Sequence, residues 1–179
     1  MAYAARATLE TRAMHPETVG RPMEILLVED SVPAAKLAIG VLKKGKFDHR
    51  LTWLRDGLEA SAFLRQTGIF AKAPRPDLIL LDLGLPGKDG RELLTEVKAD
   101  EGLQSIPVVI LTASTDQTDI VRSENLKVEA YLIKPVDLKK FLKLVRELKQ
   151  FWKDDMILPR TDAQAMSDGD MSVGLFDMP

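Results

Sequence analysis

Polar residues stand where several apolar runs of the sequence end. Glu29 and Asp30 end EILLVED, Asp82 ends LILLD, Thr112 ends PVVILT, and Lys134 follows YLI. Carboxylate oxygens bind hard divalent cations, and a lysine can balance a nearby negative charge. These residue types predict a cation site, provided that the fold brings them together.

Three carboxylates held in one cluster repel one another. At about 4 Å, each pair costs about 4 kcal/mol at an effective dielectric constant of about 20. Such a cluster therefore needs compensating positive charge or raised pKa values. Lys134 would offset one negative charge. A hard divalent cation would offset the rest, and Mg²⁺ is favoured if phosphate is also present.

Each of these residues also has an ordinary structural explanation. Asp30 could cap the helix that follows it, and Thr112 could be a β-branched strand residue. Asp82 could accept hydrogen bonds from the Gly-Pro loop after it, and Lys134 could be a solvated charge. The functional interpretation is favoured because all of them fall at one end of one predicted sheet.

The elements that must position these residues alternate between strands and helices. Parallel strands need crossover helices, so five such repeats predict an α/β fold, a doubly wound five-stranded parallel sheet between two helical layers. Ligands of such sheets bind outside the carboxyl ends of the strands. The predicted strands are Glu24–Glu29, His49–Arg55, Leu78–Leu83, Pro107–Ala113 and Val128–Ile133.

Helical spacing and capping residues predict the helices between these strands. The spacing places Leu37 on the apolar face of the first helix and Leu58 on that of the second. The predicted helices follow Asp30–Ser31 as far as Gly45, follow Asp56 as far as Gly68, span Arg91–Lys98 and Thr115–Glu124, and follow Asp137 to about Lys153.

Composition narrows the class of protein. A chain of 179 residues with 45% hydrophobic residues suits one domain with tails. It has no cysteine, which excludes disulfides, a thiolate nucleophile and a cysteine-bound metal. A net charge of −2 gives no reason to expect nucleic acid or an anionic membrane as a partner. No apolar run approaches the length of a membrane span or of a signal peptide, so we expect a soluble, cytoplasmic protein.

The fragments VEDS, LLDLGLPGKDG, LTAS and LIKP occur in this order, and the chain resembles a response-regulator receiver domain from about Glu24 to Lys153. The resemblance implies a flavodoxin-like fold with strand order 2-1-3-4-5. It also implies that Asp82 is the phosphoacceptor, and that Glu29 and Asp30 hold Mg²⁺ together with Asp82. The main-chain carbonyl of Gly84 matches the remaining protein ligand of that ion.

The resemblance assigns the other polar residues to the phosphoryl group. Thr112 and Lys134 match the residues that contact phosphoryl oxygens, and Tyr131 matches the aromatic switch residue. The Lys134–Pro135 bond matches one that is usually cis in this family. An aspartate can attack phosphorus, while Mg²⁺ and a lysine neutralise the charge that grows on the equatorial oxygens.

Three classes of function compete for this sequence. The first is a signalling switch, not an enzyme in the ordinary sense, that takes phosphate from a sensor histidine kinase or a phosphotransfer protein. The second is a receiver-fold binding module that works without phosphate. The third is a metal-dependent phosphohydrolase, which would want a second acid at the position of Gly84. Many receivers carry a side chain there that reaches the phosphoryl group, so the lifetime of a phosphorylated form does not transfer from other members.

The ends of the chain bear on its partners. Residues 1–22 and 154–179 lack periodicity, so they are expected to be mobile tails around a domain of residues 23–153 whose output is protein binding. Leu144, Phe151 and Trp152 widen the apolar face of the last helix, which predicts a homodimer or partner surface. Alternatively, Phe151 and Trp152 pack on the chain's own segment Met156–Leu158.

The last helix, the GIFAKAPRP loop and Met156–Pro159 resemble phytochrome-associated response regulators, which implies a phytochrome-type kinase.

Overall fold

Six strands lie in the part of the chain that the structure describes, a computed structural model covering residues 8–11, 20–113 and 128–152. Side chains are described from residue 20 onward within these ranges. The strands are β1 (Thr8–Thr11), β2 (Met23–Val28), β3 (His49–Leu54), β4 (Leu78–Asp82), β5 (Val108–Thr112) and β6 (Ala130–Ile133).

The strands form one sheet in the order β1-β3-β2-β4-β5-β6. From β2 to β6 every neighbouring pair is parallel, and these five strands have the predicted order 2-1-3-4-5. The doubly wound, flavodoxin-like fold is therefore confirmed. Successive strands are added towards one edge of the sheet from β2 to β3 and towards the other edge from β4 onward. The switch point lies between β2 and β4, and the carboxyl ends of these two strands border the crevice where ligands of such sheets bind.

The strand β1 was not predicted. Thr8 pairs with Thr52 and Thr11 pairs with His49 in an antiparallel ladder that covers the outer edge of β3. The segment TLET has no alternation of apolar and polar residues, so pattern alone marks it as part of a tail. A paired edge leaves fewer unsatisfied backbone groups for another chain to bind.

Helices cover both faces of the sheet. The described helices are α1 (Val32–Lys44), α2 (Gly57–Leu64), α3 (Gly90–Ala99) and α4 (Leu138–Glu147). Because side chains alternate along a strand, Ile25 and Leu27 share one core cluster with α1 and α4, while Leu26 and Val28 share the other with α2 and α3. The predicted helix Thr115–Glu124 lies outside the described residues. None of the described helices has the length and apolar composition that a membrane-spanning helix needs.

Two residues that the spacing places on apolar faces are exposed. Leu37 is 58% exposed and Leu58 is 62% exposed. The buried face of α1 instead contains Ala35, Ala38, Ile39 and Leu42, and that of α2 contains Gly57, Ala60, Phe63 and Leu64. Small alanines on these faces let the helices approach the sheet closely, a preference that a search for large apolar residues does not detect.

The last helix is shorter than predicted. It ends at Glu147, and the chain continues as a 3-10 turn over Leu148–Phe151. The buried indole of Trp152 turns back and its Nε1 donates to the carbonyl oxygen of Val145 at 2.9 Å. The hydrogen bond satisfies one of the carbonyl groups that a helix leaves free at its C-terminus.

A hydrogen-bonded cluster around Glu96 links α2, α3 and the loop after β4. The Glu96 carboxylate on α3 accepts from Ser61 Oγ at 2.6 Å and from Arg65 Nε at 2.5 Å, and it pairs with Lys88 of the loop. Burial acts to raise the pKa of Glu96, but the hydrogen bonds from Lys88, Ser61 and Arg65 outweigh it and lower the pKa to about 2. The negative charge of Glu96 therefore stabilises the folded state at neutral pH.

We expect Glu96→Gln to lower the free energy of unfolding by about 1–3 kcal/mol at neutral pH, because it removes charge-assisted hydrogen bonds. A lowered folded pKa stabilises the protein above the unfolded pKa, and this contribution disappears as the pH falls towards the folded pKa of about 2. The difference between wild type and variant should therefore shrink below about pH 5. Urea unfolding from about pH 7 to pH 3 measures it, with Glu101→Gln in the exposed loop after α3 as control. A difference that is constant down to about pH 3 would contradict the role of the Glu96 charge.

Candidate functional site

The sheet brings the predicted polar residues to one edge. In the parallel ladders Val28 pairs with Leu81, Asp82 pairs with Leu111, and Thr112 pairs with Ile133. Glu29 and Asp30 follow Val28 directly, and Lys134 follows Ile133. The carboxyl ends of β2, β4, β5 and β6 therefore place all five polar residues at the same end of the sheet.

Three carboxylates meet at this edge. One oxygen each from Glu29, Asp30 and Asp82 lies within 4.8 Å of the others. Glu29 is buried, with Oε1 accepting from the main-chain N–H of Ser31 at 3.1 Å and Oε2 accepting from Lys134. The half-buried carboxylate of Asp30 accepts no hydrogen bond from the described residues. Ser31, and not Asp30, caps α1 through its side chain, which removes the ordinary explanation for Asp30.

Lys134 bridges two of the acids. Its Nζ lies 2.7 Å from Glu29 Oε2 and 3.3 Å from Asp82 Oδ2. Burial acts to lower the pKa of Lys134, but the hydrogen bond to Glu29 and the charge of Asp82 outweigh it and raise the pKa. Burial also raises the pKa of Glu29, with the negative charge of Asp82 adding to the rise and the Lys134 hydrogen bond opposing it. Lys134 therefore stays positively charged at neutral pH and holds the cluster together.

The loop after β4 fixes the direction of the Asp82 side chain. The main-chain N–H of Gly84 donates to Asp82 Oδ1 at 3.2 Å. A Cβ at Gly84 would meet only Asp82 Oδ1, 3.9 Å away, so the space beside the carboxylate is open. Gly90 begins α3 so close to β4 that a Cβ there would collide with the carbonyl oxygen of Asp82. The absence of a side chain at Gly90 is therefore a condition for the position of this acid.

Thr112 and Tyr131 lie on the same face of two neighbouring strands. Tyr131 pairs with Ile110 and Thr112 pairs with Ile133, and residues two apart in a strand share a face. Thr112 is fully buried at the end of β5, and Tyr131 is half-buried against the core cluster below it. The Lys134–Pro135 bond beside them is cis, as the resemblance implies. The main-chain N–H of Lys134 donates to the carbonyl oxygen of Thr112 at 2.7 Å, which ties the two strand ends together.

Two side chains from the end of β3 reach this site, although the sequence pattern did not assign them to it. Trp53 Nε1 donates to the main-chain oxygen of Glu29 at 2.8 Å. Arg55 donates from Nε and Nη2 to the main-chain oxygen of Asp30, at 3.3 and 3.1 Å. The alternation of β3 marks Trp53 only as a strand residue, and nothing in the sequence shows which carbonyl its indole meets.

The predicted interface residues of the last helix need correction. Leu144 is 8% exposed and Trp152 is 8% exposed, and both belong to the chain's own core cluster. They are buried because α4 packs flat against the sheet and the Trp152 indole folds back onto it. Phe151, 37% exposed, keeps its surface position, and Ile133 at the end of β6 is 54% exposed. The segment Met156–Pro159 lies outside the described residues.

The donor set fits a hard divalent cation. Two oxygens bound to one such ion are at most about 4 to 5 Å apart, and the three carboxylates here meet that spacing. The cluster offers only carboxylate oxygens, and the sequence has no cysteine whose thiolate would select a softer metal. Mg²⁺ bound among Glu29, Asp30 and Asp82 would supply positive charge to an incoming phosphoryl group.

Residues 25–146 match the response regulator receiver domain family. The chain belongs to this family, so it is a receiver domain of two-component signalling. Over 138 residues it is 49% identical to response regulator Rcp1 of Synechocystis sp., a match that covers 77% of this chain and 94% of Rcp1.

Solved structures of response regulators are also similar to this chain. The Mn²⁺-bound form of Rcp1 superposes with a TM-score of 0.61 at 49% identity, covering 78% of this chain and 100% of the chain in that crystal structure. Phosphorylated RcpA, a cyanobacterial phytochrome response regulator, gives 0.62 at 43% identity over 78% of this chain and 99% of RcpA. The bacteriophytochrome response regulator AtBRR gives 0.69 at 40% identity over 74% of this chain and 96% of AtBRR. The similarity to phytochrome-associated regulators is confirmed.

Removal of Glu29 and removal of Asp30 should change the free energy of unfolding by different amounts in metal-free buffer. We expect Glu29→Ala to cost about 3 kcal/mol of unfolding free energy, because it leaves the partly buried Lys134 without its closest partner. Asp30→Ala should change stability by less than about 1 kcal/mol, because Asp30 only adds repulsion to the apo cluster. Urea unfolding with excess EDTA measures both. A loss of several kcal/mol in Asp30→Ala would mean that Asp30 is structural.

Proposed function

We propose that this receiver domain is a phosphoryl-accepting switch, phosphorylated on Asp82 by a sensor histidine kinase in the presence of Mg²⁺. The observation that carries the proposal is the position of Asp82, whose carboxylate stands at a strand end beside Lys134, Glu29 and Asp30 with open space over Gly84. Three acids around one lysine leave net negative charge, which a divalent cation would offset.

The side chains of the site have distinct tasks in this transfer. A carboxylate oxygen of Asp82 forms a bond to phosphorus, while the bond from phosphorus to the donor's histidine nitrogen breaks and that nitrogen keeps the electron pair. Lys134, already 3.3 Å from Asp82 Oδ2, neutralises charge on the phosphoryl oxygens. The hydroxyl of Thr112, at the end of β5, would bind another of those oxygens. Glu29 and Asp30 would hold the cation together with Asp82.

The two competing functions have less support. A phosphohydrolase of related topology would want an acid two residues after the nucleophile, and Gly84 stands there. A phosphate-independent binding module would not require the complete set of Asp82, Thr112 and Lys134 that the strand ends bring together. Phosphate transfer accounts for each of these residues.

The relatives support a proposal for the donor. RcpA and AtBRR are phytochrome response regulators, and RcpA has been solved in phosphorylated form. We therefore propose a phytochrome-type histidine kinase, or a phosphotransfer protein, as the donor. The output is protein binding or self-association through the face formed by β6, α4 and the 3-10 turn after α4, where Ile133 and Phe151 are exposed.

Acetyl phosphate with Mg²⁺ should phosphorylate the wild-type chain once, and Asp82→Asn should abolish the labile phosphate. Intact-protein mass with and without EDTA reports the reaction. Asp100→Asn, an acid that caps the end of α3 far along the chain from the site, is the matched control and should be phosphorylated like wild type. If Asp82→Asn gains the same labile phosphate as wild type, the phosphoacceptor is wrongly assigned.

Phosphorylation should change the conformation of the face formed by β6 and α4, because Thr112 and Tyr131 would both move. Thr112 must move to reach a phosphoryl oxygen on Asp82, which frees space that the neighbouring Tyr131 can fill. A complete switch between two populations needs about 5.5 kcal/mol of differential binding, which several charge-assisted contacts can supply.

Thr112→Ala should therefore retain phosphorylation and lose most of the phosphate-dependent change in self-association or partner affinity. Sedimentation of the phosphorylated and unphosphorylated forms measures it. Thr95→Ala, which removes a hydroxyl that donates to the Arg91 carbonyl oxygen within α3, is the control and should switch like wild type. Identical association of wild type with and without phosphate would reject this coupling and leave the phosphoacceptor intact.

A further inference from the structure

The indole of Trp53 makes a directed contact with the main chain of the acidic pair. Its Nε1 donates to the carbonyl oxygen of Glu29 at 2.8 Å, a good hydrogen-bond distance for a partly buried N–H. The carbonyl belongs to the peptide that joins Glu29 to Asp30. The main-chain N–H of Glu29 is meanwhile held by the carbonyl oxygen of Leu54 at 3.0 Å. The main chain of Glu29 is therefore held from β3 at both its N–H and its carbonyl oxygen.

Asp30 has no side-chain hydrogen bond of its own within the described residues. The direction of its carboxylate therefore depends on the two peptides that flank it. Trp53 holds the peptide before Asp30, and the guanidinium of Arg55 donates to the carbonyl oxygen of the peptide after it, at 3.1 and 3.3 Å. Both donors project from the carboxyl end of β3, which itself supplies none of the three carboxylates.

We propose that Trp53 is a positioning residue for the cation site, acting through the Glu29–Asp30 peptide to aim the Asp30 carboxylate at the ion. The inference rests on the proposed cation site and extends it to a strand outside the acidic cluster. Outer-shell hydrogen bonds of this kind orient the groups that contact the metal, and their loss typically weakens metal binding by about 10-fold or more. Arg55 supports the neighbouring peptide, but its charge also repels a cation, so Trp53 gives the cleaner test.

The chain provides a matched control for this contact. It has two tryptophans, and each donates from Nε1 to a main-chain oxygen: Trp53 to Glu29 at 2.8 Å and Trp152 to Val145 at 2.9 Å. Only the first of these bonds lies at the site. Trp→Phe removes the N–H and keeps an aromatic ring at either position, so the two variants separate positioning of Asp30 from general loss of an indole hydrogen bond.

The first measurement is Mn²⁺ affinity, followed by the electron paramagnetic resonance signal of the free ion. Trp53→Phe should bind Mn²⁺ about 10-fold more weakly than wild type, and Trp152→Phe should bind it like wild type. In an Asp30→Asn background, the further effect of Trp53→Phe should fall below about 3-fold, because the carboxylate that it aims is no longer there. Equal affinity in Trp53→Phe and wild type, or an undiminished effect in the Asp30→Asn background, would overturn the inference.

A second measurement needs no substitution at Trp53. The wild-type chain should show two indole N–H resonances, and Trp152→Phe identifies them by removing one. During a Mg²⁺ titration the Trp53 resonance should shift with the midpoint of ion binding, while the Trp152 resonance stays in place. If the wild-type chain binds Mg²⁺ without a shift of the Trp53 resonance, the positioning role of Trp53 is rejected and the proposed function stands. If the wild-type chain binds neither Mn²⁺ nor Mg²⁺, the proposed function itself is rejected.

Discussion

The ion pair between Lys134 and the buried Glu29 holds together a cluster that electrostatic repulsion would otherwise open. Glu29 Oε2 lies 2.7 Å from Lys134 Nζ, and the same ammonium lies 3.3 Å from Asp82. A buried carboxylate is costly unless it is paired and hydrogen-bonded. Lys134 satisfies that condition for Glu29. In the proposed function, Asp30 and Asp82 would hold the cation and Asp82 would take the phosphoryl group.

Close backbone packing holds the loop that carries this chemistry. A Cβ at Gly57 would collide with the carbonyl oxygen of Lys88, and a Cβ at Gly90 would collide with that of Asp82. The start of α2, the loop after β4 and the start of α3 therefore pack without side chains between them. Further along the two helices, the Glu96 cluster joins α2, the loop after β4 and α3 through Lys88, Ser61 and Arg65. The loop after β4, which follows Asp82, is therefore held against α2 and α3 by backbone packing and by hydrogen bonds.

The sequence predicts the sheet and the acidic cluster because both depend on local pattern. Apolar runs define five buried strands, and parallel connection then forces their carboxyl ends, with Asp82 and Lys134, to one edge. Features that depend on tertiary packing were missed. The segment Thr8–Thr11 becomes a strand only through β3, and Leu37 is exposed because α1 packs through its alanines. The indole of Trp152 is buried and donates to the Val145 carbonyl oxygen near the end of α4. The spacing of apolar residues along a helix does not predict such a contact.

Chemical trapping of the acyl phosphate tests whether Asp82 itself carries the phosphoryl group. Borohydride reduces an acyl phosphate of aspartate to homoserine, which marks the residue in the peptide mass spectrum. After incubation with acetyl phosphate and Mg²⁺, we predict homoserine at position 82, and none when the donor is omitted. Homoserine at another acid, or an unmodified Asp82 in a chain that has gained phosphate, would contradict the account.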